Sequence, residues 1–171
     1  DAIEKATAMA RECINSGYIL CGAVLSLDFT QVTAQDLNKG VEAAIIAGDY
    51  TTVVKLWKLL AEQGDASAQL NLGIKYVYGI GVLKDATEAV KWLRLSAEQG
   101  YADAQYNLGI QYENGEGVPK DNQKAHMWYD IASANGHEKA GEWRDEREAL
   151  MTADAIEKAT AMARECINSG Y

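Results

Sequence analysis

The tetrapeptide AEQG stands at 61–64 and again at 97–100, and SANG occupies the same register at 133–136. The glycines that close them, Gly64, Gly100 and Gly136, are 36 residues apart each time. Other positions keep this period: Ala68, Ala104 and Ala140; Leu72 and Leu108; Gly73 and Gly109; Tyr76 and Tyr112; Asp49, Asp85 and Asp121; Trp92 and Trp128. Gly79 and Gly81 align in the same way with Gly115 and Gly117. A fixed period of this length marks small units that cannot bury their apolar faces alone and must stack. That excludes most folds before composition is considered.

Each unit reads as two helices. Ala68, Leu72 and Tyr76 are four apart and form one stripe, which predicts a helix over 66–78. Gly79-Ile80-Gly81 ends it, because glycine accepts the left-handed dihedrals of a helix C-terminus. Asp85 suits an N-cap for a second helix over 86–99, with Gly100 closing it. The next unit repeats the plan with helices at 102–113 and 122–134 around the loop NGEGVPKD. Alanine at 68, 89, 104 and 125 and glycine at 73 and 109 let paired helices approach closely, and the two tryptophans fill space between neighbouring units. The expected architecture is all-α: a right-handed α-solenoid of about three antiparallel helix pairs with a C-terminal capping helix.

The stretches AEQGDASAQLNLGIKYVYGIGVLKDATEAVKWLRLS (61–96) and AEQGYADAQYNLGIQYENGEGVPKDNQKAHMWYDIA (97–132) resemble the Sel-one-like repeat family, a branch of the tetratricopeptide-like superfamily. The helix at 50–62 resembles the second half of a unit, and 41–48 a divergent first half. From Gly136 to Met151 a last unit begins, with Trp143 and Arg144 in place of Asn-Leu. The likeness covers about 40–151. Members are typically protein-interaction adaptors, many of them bacterial and exported. The resemblance therefore implies a protein or peptide partner held in a concave groove lined by the first helix of each unit. Carried onto this sequence, the groove positions are Leu70, Asn71, Ile74, Lys75 and Val77, with Tyr106, Asn107, Ile110, Gln111 and Glu113 as counterparts. Asn71 and Asn107 each offer a donor and an acceptor to a peptide backbone. Leu70, Ile74, Tyr106 and Ile110 suit apolar side chains or, alternatively, belong to the core between units.

Residues 1–18, DAIEKATAMARECINSGY, recur unchanged at 154–171, whereas the 36-residue units have drifted. The 1–18 segment reads as a recent or engineered duplicate of the C-terminal helix, with 35–151 forming the repeats and 152–171 the cap. Ile156, Ala159, Ala163, Cys166 and Ile167 recur at helical spacing, so the segment is an amphipathic helix able to cover the open end of the stack. The N-terminal copy either lies against the first unit, stays loose, or docks on a neighbouring molecule, giving a homo-oligomer by helix exchange. The apolar run ILCGAVLSL at 19–27, followed by Val32-Thr33-Ala34, resembles the tail of a secretory signal within a 19–34 segment, with a joining segment as the alternative. The first reading places the protein in a periplasm or outside the cell, the second in the cytoplasm.

Chemistry is sparse. A formal charge of −9 disfavours phosphate backbones and argues against a nucleic-acid partner. No apolar run reaches the roughly 20 residues of a membrane span. The three cysteines, at 13, 21 and 166, lack metal spacing, and no phosphate-binding loop occurs. His126 is expected on a helix surface or partly packed, and His137 in a turn. No catalytic, metal or cofactor site is expected. An enzyme or accessory acting on an envelope polymer is the alternative to the adaptor, and self-assembly the third reading.

Overall fold

The computed structural model describes residues 33–170, and these form eight helices with no strand among them. The N-terminal duplicate 1–18, Cys13, Cys21 and all but the last two residues of the 19–34 segment lie outside the described residues. The helices are α1 (Ala34–Ile46), α2 (Tyr50–Glu62), α3 (Ala66–Tyr78), α4 (Ala86–Ala97), α5 (Ala102–Asn114), α6 (Asn122–Ala134), α7 (Ala140–Glu148) and α8 (Ala153–Ser169). The main contacts run in chain order from α1 to α7, and α8 folds back onto α6. This is the α-solenoid of helix pairs, closed by a terminal helix.

Helix starts follow the repeated aspartates. Asp49, Asp85 and Asp121 accept backbone N–H groups at the starts of α2, α4 and α6 at 3.0–3.1 Å, satisfying donors that a helix start leaves free. Asp65 does the same for α3 and Thr152 for α8. The first helix begins earlier than the 41–48 half-unit expected from the period. Thr33 and Asp36 form a reciprocal capping box that starts it at Ala34.

Small residues set the helix spacing. A Cβ at Gly73 would stand 2.8 Å from Leu93 Cγ, and one at Gly109 would stand 2.6 Å from Tyr129 Cε1. A large residue of the second helix thus lies directly on the backbone of the first, in both units. The core is one apolar seam in two stretches. Val53, Ala61, Ala68, Leu72 and Trp92 form the first. Ala97, Ala104, Leu108 and Trp128, their 36-residue counterparts for the last four, anchor the second.

The loops lock unit to unit. Gly81 has φ +75° and Gly117 φ +73°; a Cβ there would meet the carbonyl oxygen of Tyr50 at 2.3 Å and of Ala86 at 2.1 Å. Each loop therefore presses on the start of the preceding unit's second helix, at a spot only glycine can occupy. Polar clasps that the period alone did not single out repeat beside them. Gln69 Nε2 donates to the Ala61 carbonyl at 3.1 Å, and Gln105 Nε2 to that of Ala97 at 3.0 Å. Gln99 then donates to Gln69 Oε1 at 2.7 Å, and Asn135 to Gln105 Oε1 at 2.9 Å. The Ala61 and Ala97 carbonyls also accept the Gly64 and Gly100 N–H groups at 3.0 Å, so each clasp adds a second donor that ties the end of one unit to the first helix of the next.

Candidate functional site, the face of the first helices

The first helices of the units, α3, α5 and α7, carry the expected groove residues. Leu70 is buried in the second core stretch with Val90 and Leu93, and Ile74 and Val77 pack half-buried against the same cluster. Gln111 is also buried. Leu70 and Gln111 therefore face inward, Leu70 among core residues that include Val90 and Leu93 of α4. Asn71, Lys75, Tyr106, Asn107, Ile110 and Glu113 are half-buried and keep an open side.

Lys75 lies with its Nζ 5.1 Å above the Tyr50 ring and 5.6 Å above the Trp57 ring, both from α2, so its charge is held over aromatic faces. Asn107 donates its amide to the Asp103 carbonyl one turn earlier at 2.7 Å. Tyr106 stacks on the His137 ring at 4.1 Å, with planes 17° apart. Trp143 approaches it edge-on at 6.2 Å and Tyr129 lies tilted at 5.7 Å. The phenol is pushed above its ordinary range by burial, with the Glu113 carboxylate and Tyr78 adding to the effect.

An ion pair anchors this aromatic nest. Tyr129 donates its hydroxyl to Glu113 at 2.7 Å, and Arg147 Nε approaches Glu113 at 3.3 Å while its guanidinium covers the Trp143 ring at 5.4 Å. Burial, then the bond to Glu113, raises the Tyr129 phenol far above its usual value, so it stays protonated and remains a donor. A small cavity of about 80 Å³ opens beside Glu113 and Arg147, lined also by Lys120, Asn122, Leu150 and Met151.

His126 differs from expectation. It is fully buried, with Nε2 2.8 Å from Glu148 Oε1, because α7 and α8 both close over α6. His137 follows Gly136 in its turn, 3.7 Å from Asp103. Among the described residues no group of three or more His, Cys, Asp or Glu is placed to hold a metal ion, and no helix is long and apolar enough to cross a membrane. The register explains the nest, which sequence reading did not assemble. Trp143 stands where the other units have Asn71 and Asn107, and Arg147 where they have Lys75 and Gln111. The oddity of Trp143 was visible; its contact with Tyr106 and Tyr129 was not.

Fold and face together define a helical-repeat solenoid with a ribbon of amide, cationic and aromatic side chains along its first helices. The repeats are Sel1 repeats: the Sel1 repeat model matches residues 66–101 and 102–137. Among solved structures, the chain is similar to a protective antigen present in uropathogenic Escherichia coli strains displaying an SLR fold, with TM-score 0.75 and 31% identity, over 81% of this chain and 31% of that one. It is also similar to a Sel1 repeat protein from Oxalobacter formigenes, with TM-score 0.59 and 28% identity, over 78% of this chain and 57% of the other. The chain thus spans about a third of the first protein's length and just over half of the second's. No curated protein matches it.

Proposed function

We propose that the protein is a non-catalytic adaptor that holds an extended segment of a partner protein along the face of α3, α5 and α7. Sel1 repeats serve in general as protein-interaction scaffolds, which supports the coarse reading. The finer reading rests on one observation. Asn71 and Asn107 occupy the same register in successive units and both keep an open side, so a peptide backbone meets the same amide chemistry at each step. Lys75 and Tyr106 flank that row with a cation and an aromatic surface.

The experiment is a capture of partners from the source cell with Asn71→Ala plus Asn107→Ala as the comparison. Both residues are only half-buried. The double variant should retain about the parent melting temperature and lose roughly tenfold or more in partner capture, the scale of two lost peptide hydrogen bonds. A large drop in melting temperature would instead make the asparagines structural. Unchanged capture would move the binding face elsewhere.

A further inference from the structure

The stretch at 154–171 shows what its sequence does when seated. As α8 it lies on α6, with Ala159 and Ala163 wholly buried. Met162 and Cys166 pack against the cluster that contains Trp128 and Ile131. Burial pushes the Cys166 thiol up, and the carboxylate of Glu98, just past the end of α4, adds to it. The groove on α6 is therefore shaped to one sequence. The chain carries that sequence twice, with Ala6, Met9, Ala10 and Cys13 matching Ala159, Met162, Ala163 and Cys166.

We infer that the α6 groove also accepts residues 1–18 of a second copy of this chain, so that molecules exchange their terminal helix head to tail. The inference stands apart from the reading of the partner face. The residues common to 1–18 and 154–171 can make the same contacts, so the two occupants differ in how they are tethered and in the Thr152 cap of α8, which residues 1–18 do not include. Residues 149–152 hold α8 beside its groove at an effective concentration on the millimolar scale. Residues 1–18 precede α1, and α1 sits at the opposite end of the stack from α6. An N-terminal copy taken up by the α6 groove of a neighbouring molecule makes a contact that joins tail to head and does not close on itself. At about 0.1 mM protein against about 1 mM tether, roughly one groove in ten holds the incoming segment. Exchange is then a minor state that rises with concentration.

Covalent trapping in the full-length chain tests this. With Cys21→Ser, Cys166→Ser and Glu98→Cys, the thiols are at 13 and 98, and a short bismaleimide is added. The expected product is a ladder of linked dimers and longer chains, whose yield rises about tenfold for a tenfold rise in protein concentration. Adding Ala6→Asp and Ala10→Asp should abolish the ladder. A parallel chain with Cys13→Ser, Cys21→Ser and Glu98→Cys, keeping Cys166, should link within the monomer at a yield independent of concentration. The inference is overturned by an absent ladder, by one that survives the two aspartates, or by a link between 13 and 98 inside a single chain. Failure of the parallel chain to link would remove the α8 geometry on which it stands.

Discussion

Between α3 and α6 each unit leans on its predecessor through backbone contact and amide clasps, whereas beyond Gly136 the same task falls to charged and aromatic side chains. The regular units use Gly81 and Gly117 against the Tyr50 and Ala86 carbonyls, and Gln69 and Gln105 against the Ala61 and Ala97 carbonyls. In the last unit Gly141 stands at the Gln105 position and Arg144 at the position of the fully buried Leu72 and Leu108. Arg144 instead bonds Asp130 at 2.9 Å and Asp145 at 2.7 Å. An arginine in place of the seam leucine gives α7 a face that water tolerates, as a terminal unit requires. The aromatic nest and the His126–Glu148 contact then fix α7 from the side. Shape complementarity repeats; side-chain polarity terminates.

The contrast is broken most severely at the loop glycines. Gly117→Ala combines a left-handed backbone with a collision against the Ala86 carbonyl, and should cost about 3 kcal/mol or more in denaturant unfolding. Gly141→Ala should stay within about 1 kcal/mol of the parent, since its nearest neighbour is the Ser133 hydroxyl at 3.2 Å and the site is helical. Equal losses at the two sites would erase the distinction drawn here.

Gln105→Ala comes next. It removes the donor to the Ala97 carbonyl and the acceptor for Asn135 inside the seam, for an expected loss of about 2 kcal/mol. A loss under about 0.5 kcal/mol would mean that the clasps are passengers on the packing.

The smallest effect belongs to the nest. Tyr129→Phe deletes the hydroxyl bonded to Glu113 and should cost about 1 kcal/mol near neutral pH. The phenol is raised in the folded state, so its contribution is complete below the ordinary tyrosine value of 10 and declines as pH rises above it. The gap between parent and variant should accordingly narrow from about pH 9 to about pH 11 in thermal melts. A constant gap would show that folded and unfolded Tyr129 ionise alike.

The period revealed the helix pairs because identical small residues recur wherever two backbones must touch. Gly73 and Gly109, or Ala68 and Ala104, are legible for that reason. The starts of α4 and α6 were legible from Asp85 and Asp121, whose short carboxylates serve free N–H groups. The inward turn of Gln111 was not, and for Leu70 the core was one of two open readings, since a helical stripe gives a face and its neighbours decide how wide the covered part is. His126 eluded sequence reading because its partner Glu148 stands where the other units have Tyr76 and Tyr112, and because α8, outside the repeat register, also packs on α6. The Gln69 and Gln105 clasps recur at the period, but glutamine on a helix is usually a surface residue, and only the geometry shows it capping the helix before it.

The pressing of each loop glycine on the helix start one unit earlier constrains how proteins built this way change size. An insertion of arbitrary length between Ala86 and Gly117 would carry the glycine away from Ala86 and present a side chain or a gap to that carbonyl. Growth is then tolerated only in whole steps of 36 residues, added or dropped like courses of brick. Lengths among such proteins should fall on a ladder rather than a continuum.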